Sequence, residues 1–393
     1  MTADRDTELY RIDEGRFSRL EAIEWWNREM VRDAHVLVIG AGALGNEVIK
    51  NLALLGIGHL VVVDMDRIEM SNLSRSVLFR ESDCGANKAD CAARSARSLH
   101  PDINVTAICG NVLSDVGFGF FRRAQVIVGA LDNREARVFV NAACARVQRP
   151  WVDGGIEVLN GVVRVFAPPD TSCYECTMNE SDWRLLNERR SCSLLARRSI
   201  ENSGTPTTPT TASIIGAMQA QEALKLLHGI ESLEGSGFVF DGLQHSSYRI
   251  EYPRNPDCRW HEPAVPVIAR PEFDSSTPLR IIGEWGAKKL GGLDALDLSR
   301  EIIANLKCPS CETSRAVFRQ PEHLGEDELM CKHCGIECVP EGLHSIGPDS
   351  ELLDRTAGDI DLPKWDIIWA RYGEASVGIE LSGDQVMSGR TDR

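Results

Sequence analysis

The 393-residue chain carries 43 basic and 58 acidic side chains, a formal charge of −15, with 43% hydrophobic and 26% charged residues. That balance argues against broad binding to nucleic acid or to an anionic membrane, and the length predicts two or three domains around a substantial core. The opening MTADRDTELYRIDEGR is polar and no run approaches about 18 apolar residues, so no signal peptide or membrane span is expected and the cytoplasm is the expected compartment.

In chain order, residues 19–33 read as a helix containing Trp25 and Trp26. HVLVIGAGALG is a buried strand entering a glycine-rich turn, and NEVIKNLALLG is a helix closing on Gly56. HLVVVDMD is a second strand, ending in acids. KADCAARSARSL is a helix, NVTAICG a strand, AQVIVGALD a strand ending in Asp132, and REARVFVNAACARV a helix before the strands PWVDGG and GVVRVFAP. This alternation predicts an α/β fold with a mostly parallel sheet. Residues 177–212 are polar and include the connector GTPTTPTTAS; IIGAMQAQEALKLLHG is then a helix stopped by Gly229, and a separate region begins near residue 266.

GAGALG places Gly40, Gly42 and Gly45 between a strand and a helix, where glycine lets backbone approach a phosphate. An ordinary dinucleotide site is an equal reading of those glycines with Asp64. The following DMDRIEMSNLSR adds Asp64, Asp66, Asn72 and Arg75, and Lys88 comes soon after. A carboxylate suits a ribose, and an arginine with a lysine neutralises a triphosphate better than a redox dinucleotide requires. Asp132, at a strand's C-terminal end, is placed to hold Mg²⁺.

The stretch VLVIGAGALGNEVIKNLALLGIGHLVVVDMDRIEMSNLSRSVLFRESDCGANKAD closely resembles the adenylation domain of ubiquitin-activating enzymes and of their ThiF-superfamily relatives that activate sulfur-carrier proteins; the resemblance covers about residues 16–262. It implies a Rossmann-like adenylation fold in which Asp64 binds the ribose, Asn72, Arg75 and Lys88 bind the phosphates, and Asp132 binds Mg²⁺. RFSRLEAIEWW resembles the segment whose arginine crosses a homodimer interface to the nucleotide, which nominates Arg19, then Arg16; Leu20 stands where the family usually has glutamine.

Thirteen cysteines in a reducing compartment read as metal ligands, a catalytic thiol and buried packing rather than disulfides. Cys173 and Cys176 (CYEC) with Cys258 and His261 (CRWH) make one Cys3His zinc set. Cys308 and Cys311 (CPSC) with Cys331 and Cys334 (CKHC), nineteen residues between the pairs, make a second, of zinc-ribbon type. His333 and Cys338 read as non-ligands, and Cys84, Cys91, Cys109 and Cys144 as structural. Cys192 has no partner at ligand spacing and sits among arginines in RRSCSLLARR, cations that favour a thiolate. By the resemblance it is the residue that forms a thioester.

ELLDRTAGDIDLPKWDIIWARYGEASVGIELSGD resembles the C-terminal ubiquitin-fold domain of the activating enzymes, with LRIIGEWG and DLSREIIANL as the earlier strand and helix. The expected organisation is an adenylation domain over 1–265, including a 177–212 crossover with the catalytic cysteine. A β-grasp domain follows over 266–393, with a zinc ribbon inserted at about 307–340. The expected function is ATP-dependent activation of a ubiquitin-like protein: C-terminal adenylation, thioester formation on Cys192 and transfer to a conjugating enzyme that carries its own cysteine. The alternative is adenylation of a sulfur-carrier protein; a non-catalytic scaffold is a third reading.

Overall fold

The computed structural model describes residues 15–191 and 206–384. Cys192 lies outside them. Helix α1 (Ser18–Glu21) and helix α2 (Arg28–Asp33) replace the single helix expected over 19–33. Asn27 causes the break: its Oδ1 accepts the Met30 N–H at 3.0 Å and restarts the helix. Trp26 lies between the two, against His228.

The chain then runs β1 (His35–Ile39), α3 (Ala43–Leu55), β2 (His59–Val63), α4 (Lys88–Leu99), β3 (Asn104–Ile108), α5 (Phe118–Arg123), β4 (Val126–Gly129), α6 (Arg134–Val147), β5 (Trp151–Glu157) and β6 (Asn160–Phe166). After β6 come α7 (Glu180–Ser191), α8 (Pro209–His228), β7 (Ser236–Asp241) and β8 (Ser246–Glu251). They build one sheet, ordered β3-β2-β1-β4-β5-β6-β7-β8. The pairs from β3 to β5 are parallel and those from β5 to β8 antiparallel. Both faces of the central strands are covered, so β1, β2 and β4 read as nearly continuous apolar runs. Val36 and Val38 of β1 pack in one core with α3, α4 and α8, while Leu37 and Ile39 pack in the other with α5 and α6. The stretch expected to be a connector already begins α8: Thr208 caps it, taking the Thr211 N–H, and Pro209 fills its first turn, where the missing N–H costs nothing.

A second sheet follows, from β9 (Val267–Arg270), α9 (Leu279–Leu290), β10 (Ala295–Lys307), β11 (Ser314–Arg319), α10 (Glu326–Leu329), β12 (Val339–Ile346), β13 (Ile367–Tyr372) and β14 (Ala375–Leu381). Its order is β11-β10-β13-β14-β9, with β12 also on β10. Helix and strand are reversed relative to expectation: LRIIGEWG is helical and DLSREIIANL is β10. Leu279, Ile282, Gly283 and Gly286 fall on one buried helical face, and Gly291 ends the helix in the left-handed conformation. Along β10, Leu296, Leu298 and Ile302 pack in one core with α9, while the Ser299 carbonyl accepts from Arg146 of α6 and Arg300 lies over Phe118 of α5.

The two sheets are joined by buried polar groups. Glu380 of β14 is fully buried and takes Arg122 and Arg123 of α5. Asp366 accepts the Phe118 N–H at 3.1 Å. Gly117 and Gly119 lie so close to Trp365 that a Cβ at either would come within 2.6 Å of its carbonyl oxygen. No helix among the described residues is long and apolar enough to cross a membrane.

Candidate functional site

In the parallel sheet the chain adds β2 and β3 on one side of β1 and returns to β4 on the other. The switch point therefore lies between the C-terminal ends of β1 and β4, where open α/β sheets bind ligands. A cleft of about 1170 Å³ opens there.

The three glycines of GAGALG play different parts. Gly40 has φ +97°, and a Cβ on it would meet the Ala130 carbonyl oxygen at 2.3 Å. A Cβ on Gly45 would lie 1.9 Å from the Gly40 carbonyl oxygen, so α3 starts hard against the turn. Gly42 precedes α3 as its N-cap and has nothing within 4 Å of such a Cβ, which leaves the helix N-terminus open to the cleft.

Asp64 follows β2. Its Oδ2 takes the Ala41 N–H at 2.7 Å and its Oδ1 the Asp66 N–H at 2.8 Å, which ties the acidic turn to the glycine turn. Burial pushes its carboxyl above the ordinary value against the downward pull of those two N–H groups. Lys88, at the start of α4, is paired with Asp66 at 2.8 Å. Arg75 is steadied by a 2.8 Å bond to the Ser71 carbonyl, and Asn72 Oδ1 takes the Glu69 N–H at 3.0 Å. Asp132 is exposed and accepts a 3.1 Å bond from the Asn133 amide. Gly40, Gly42, Asp64, Asp66, Asn72, Arg75, Lys88 and Asp132 all line the one cleft; Gly45 shapes it from behind. Arg16 and Arg19 are exposed and do not line it, and Arg16 is bonded to the Leu99 carbonyl.

A group absent from the sequence expectations completes the floor. Asp153 of β5 is fully buried between Arg137 at 2.9 Å and Arg164, whose Nε also lies 2.9 Å away. Arg137 donates further to the carbonyls of Leu131 and Gly154 at 2.6 and 3.0 Å. Both arginines line the cleft, so two guanidinium groups share one carboxylate. The signal was present in PWVDGG, where an aspartate interrupts an otherwise apolar strand and so calls for a buried partner. Arg164 is that partner, directly opposite in the β5–β6 register.

Both cysteine sets come together. The ligand atoms of Cys173, Cys176, Cys258 and His261 lie within 4.8 Å of one another, as do those of Cys308, Cys311, Cys331 and Cys334. Sγ–Sγ separations are 3.6 and 3.8 Å in the first and 3.4 to 3.8 Å in the second. The edge of a zinc–thiolate tetrahedron with bonds of about 2.3 Å is about 3.8 Å, so both donor sets fit zinc. His261 Nδ1 faces the Pro169 carbonyl at 3.3 Å, which fixes the tautomer and leaves Nε2 free to ligate, 3.0 Å from Cys176 Sγ. Cys338 and His333 stay outside the second set. Cys91 and Cys144 are buried in the two cores, whereas Cys84 and Cys109 are exposed. Burial and a bond to Asp90 push the Cys109 thiol up to about 11, which makes it a poor nucleophile.

The profile of the ThiF family matches residues 16–260. This chain belongs to the ThiF family. Within it, the sulfur carrier protein adenylyltransferase of Thermus thermophilus is 32% identical over 59% of this chain and 83% of that protein. The Nedd8-activating enzyme E1 catalytic subunit of Drosophila melanogaster is 41% identical over 37% of this chain, but that match spans only 35% of the subunit. The crystal structure of Escherichia coli MccB with ATP superposes with a TM-score of 0.53 at 23% identity, covering 64% of this chain and 75% of MccB, a likeness of fold. The ThiF match ends before β9, so the second sheet lies outside it.

Proposed function

We propose that this ThiF-family chain adenylates the C-terminal carboxylate of a small carrier protein with ATP. The observation that carries the reading is the convergence, in one cleft at the sheet's switch point, of an open helix N-terminus at Gly42, the Asp64 carboxylate, the cations Arg75 and Lys88, and the exposed carboxylate Asp132. The ribose would be held by Asp64 and the phosphates by Asn72, Arg75, Lys88 and the α3 N-terminus. Asp132 would hold Mg²⁺, which supplies neutralising charge on the phosphates when bound. A carrier carboxylate oxygen attacks the α-phosphorus, the bond to the β-phosphate bridging oxygen breaks, and pyrophosphate leaves with the electron pair. Arg137 and Arg164, fixed by Asp153, add positive potential to the floor. Arg19 remains the candidate from a second copy, being exposed and outside its own cleft.

For the fate of the acyl-adenylate, sulfur-carrier activation is the better supported reading. The match to the Thermus adenylyltransferase spans most of that protein, whereas the match to the Drosophila subunit spans about a third of it. Thioester formation on Cys192 and transfer to a conjugating enzyme is the second reading, favoured by the 41% identity to the Nedd8-activating subunit. We also propose that residues 266–393 form a separate domain of β-grasp type and that both cysteine sets hold structural zinc.

The test incubates the chain with ATP, Mg²⁺ and a small β-grasp carrier protein. The expected results are ATP–pyrophosphate exchange dependent on the carrier and a carrier heavier by one AMP; no exchange with any such carrier refutes adenylation. Exchange abolished by Arg75→Ala and by Asp132→Ala supports the assigned roles. On a non-reducing gel, a thiol-sensitive adduct that Cys192→Ser removes while exchange persists would move the choice to the second reading.

A further inference from the structure

The loop after β3 forms one wall of the cleft through Gly110, Asn111 and Val112. Its remaining residues turn away from the cleft toward the second sheet, and there their backbone is taken up by three side chains. Arg300 donates from Nη1 to the Leu113 carbonyl at 2.7 Å and from Nη2 to the Val116 carbonyl at 2.9 Å. Gln320 donates from Nε2 to the Ser114 carbonyl at 3.0 Å. His323 Nε2 lies 3.0 Å from Asp115 Oδ1, and the other Asp115 oxygen accepts the Asn111 N–H at 2.6 Å. One carboxylate thus joins the cleft wall to His323, whose Nδ1 is held by Asp361 at 2.7 Å.

Arg300 and Gln320 are 8% and 1% exposed, so these bonds are made away from competing water. Their origin in the chain is specific. Arg300 stands where the pairing of β10 with β12 is interrupted between Asp297 and Ile302, an irregularity that re-aims a side chain. Gln320 and His323 lie between the two cysteine pairs of the second metal set, just beyond β11. None of the three belongs to the part of the chain that matches the ThiF family.

We propose that Arg300, Gln320 and His323 are positioning residues for the nucleotide cleft: the appended sheet holds the Gly110–Val112 wall at its binding distance. A cleft wall must be fixed to a fraction of an ångström to help binding, and a loop alone is a poor way to fix it. The proposal rests on the reading of the cleft as an ATP site.

The experiment titrates a non-hydrolysable ATP analogue with Mg²⁺ into the metal-loaded, full-length chain and its variants, with zinc content and melting temperature measured on the same samples. Gln320→Ala and His323→Ala are each expected to weaken the analogue about three- to tenfold, the range one hydrogen bond supports, with zinc content unchanged. His323→Gln, which keeps a donor, is expected to recover part of the His323→Ala loss. Unchanged affinity in both alanine variants overturns the proposal. So does a loss that His323→Gln fails to recover while melting falls in step, because that marks general destabilisation. If His323→Ala does not fold, Asp115→Asn decides by the same affinity criterion. An unaltered chain that does not bind the analogue refutes the cleft reading itself, a result separate from variants that bind as well as the unaltered chain.

Discussion

Gly42 and Gly45, three residues apart, separate binding from folding. A methyl at Gly45 meets backbone that cannot retreat, since Gly40 is itself pressed against Ala130. Gly45→Ala is therefore expected to destabilise the chain by about 2–4 kcal/mol, read from urea unfolding. Gly42→Ala meets nothing, so its stability cost stays near the loss of a glycine N-cap, about 1 kcal/mol or less, while nucleotide affinity falls because the methyl fills the open cradle. His323 has a different signature. Burial would push its imidazolium down, but the hydrogen bond and charge of Asp361, and then of Asp115, outweigh burial and hold it above the ordinary 6.5. Glu322 lies beside it in the chain but is itself exposed, and Arg300 and Glu135 act on its carboxyl. A raised histidine contributes stability in full below its unfolded value of about 6.5 and loses it as pH rises through the folded value. The stability gap between the unaltered chain and His323→Gln is thus expected to be widest in mild acid and to close toward alkaline pH in denaturant titrations.

At the scale of elements, the sequence was most legible where one period ruled. The central strands β1, β2 and β4 read correctly because they are nearly continuous apolar runs; α3 read correctly because Gly56 ends it in the left-handed conformation. Legibility failed where local signals competed. Asn27 broke a plausible helix in two, and a threonine- and proline-rich run that looked like a connector supplied the cap and first turn of α8. α9 and β10 were exchanged because LRIIGEWG is short and apolar, and only its contacts with β13 and β14 decide for a helix. Most of the proposed nucleotide residues share one sequence stretch, Asp64 to Lys88, and so could be named together from the sequence; Arg137, Asp153 and Arg164 could not, because their meeting depends on strand register. The second cysteine set, proposed to hold zinc, illustrates how little some elements have to hold them. The core beneath it consists of Ile303, Leu306, Leu324, Leu329 and three cysteines. So small a core does not offset chain entropy alone. Cys311→Ser is expected to remove one of about two zinc ions per chain and to leave the amides of β11 exchanging rapidly while β1 and β4 stay protected, as a metal assay and hydrogen exchange would show.

The two sheets share one apolar core, in which Ile367 and Trp369 pack with α5 and α6, and beside it lie charges that neither sheet could bury by itself. Glu380 loses all contact with water to meet Arg122 and Arg123, which remain 27% and 42% exposed. Glu380→Gln strands two guanidinium groups that can still reach solvent, so the cost is expected at about 1–3 kcal/mol, below that of a fully buried broken pair. The check is chemical unfolding in which both sheets are followed separately: joint unfolding at a lower midpoint is expected, and a change confined to the second sheet would contradict the single-body arrangement. The pairing of β10 with β12 carries a further implication. Lys307 and Val339 sit directly opposite each other, and the intervening 308–338 leave and return at that one rung. To the backbone, this whole cysteine-bearing segment, β11 included, is an excursion from the end of the β10–β12 hairpin, and an Asn-Gly turn could close the gap after its excision. Chain topology permits the cut, but β11, Gln320 and His323 go with the excised piece, so the shortened protein would keep the β10–β12 ladder, lose the β10–β11 one and release its grip on Ser114 and Asp115. A segment that is dispensable to connectivity is, by its contacts, part of the frame.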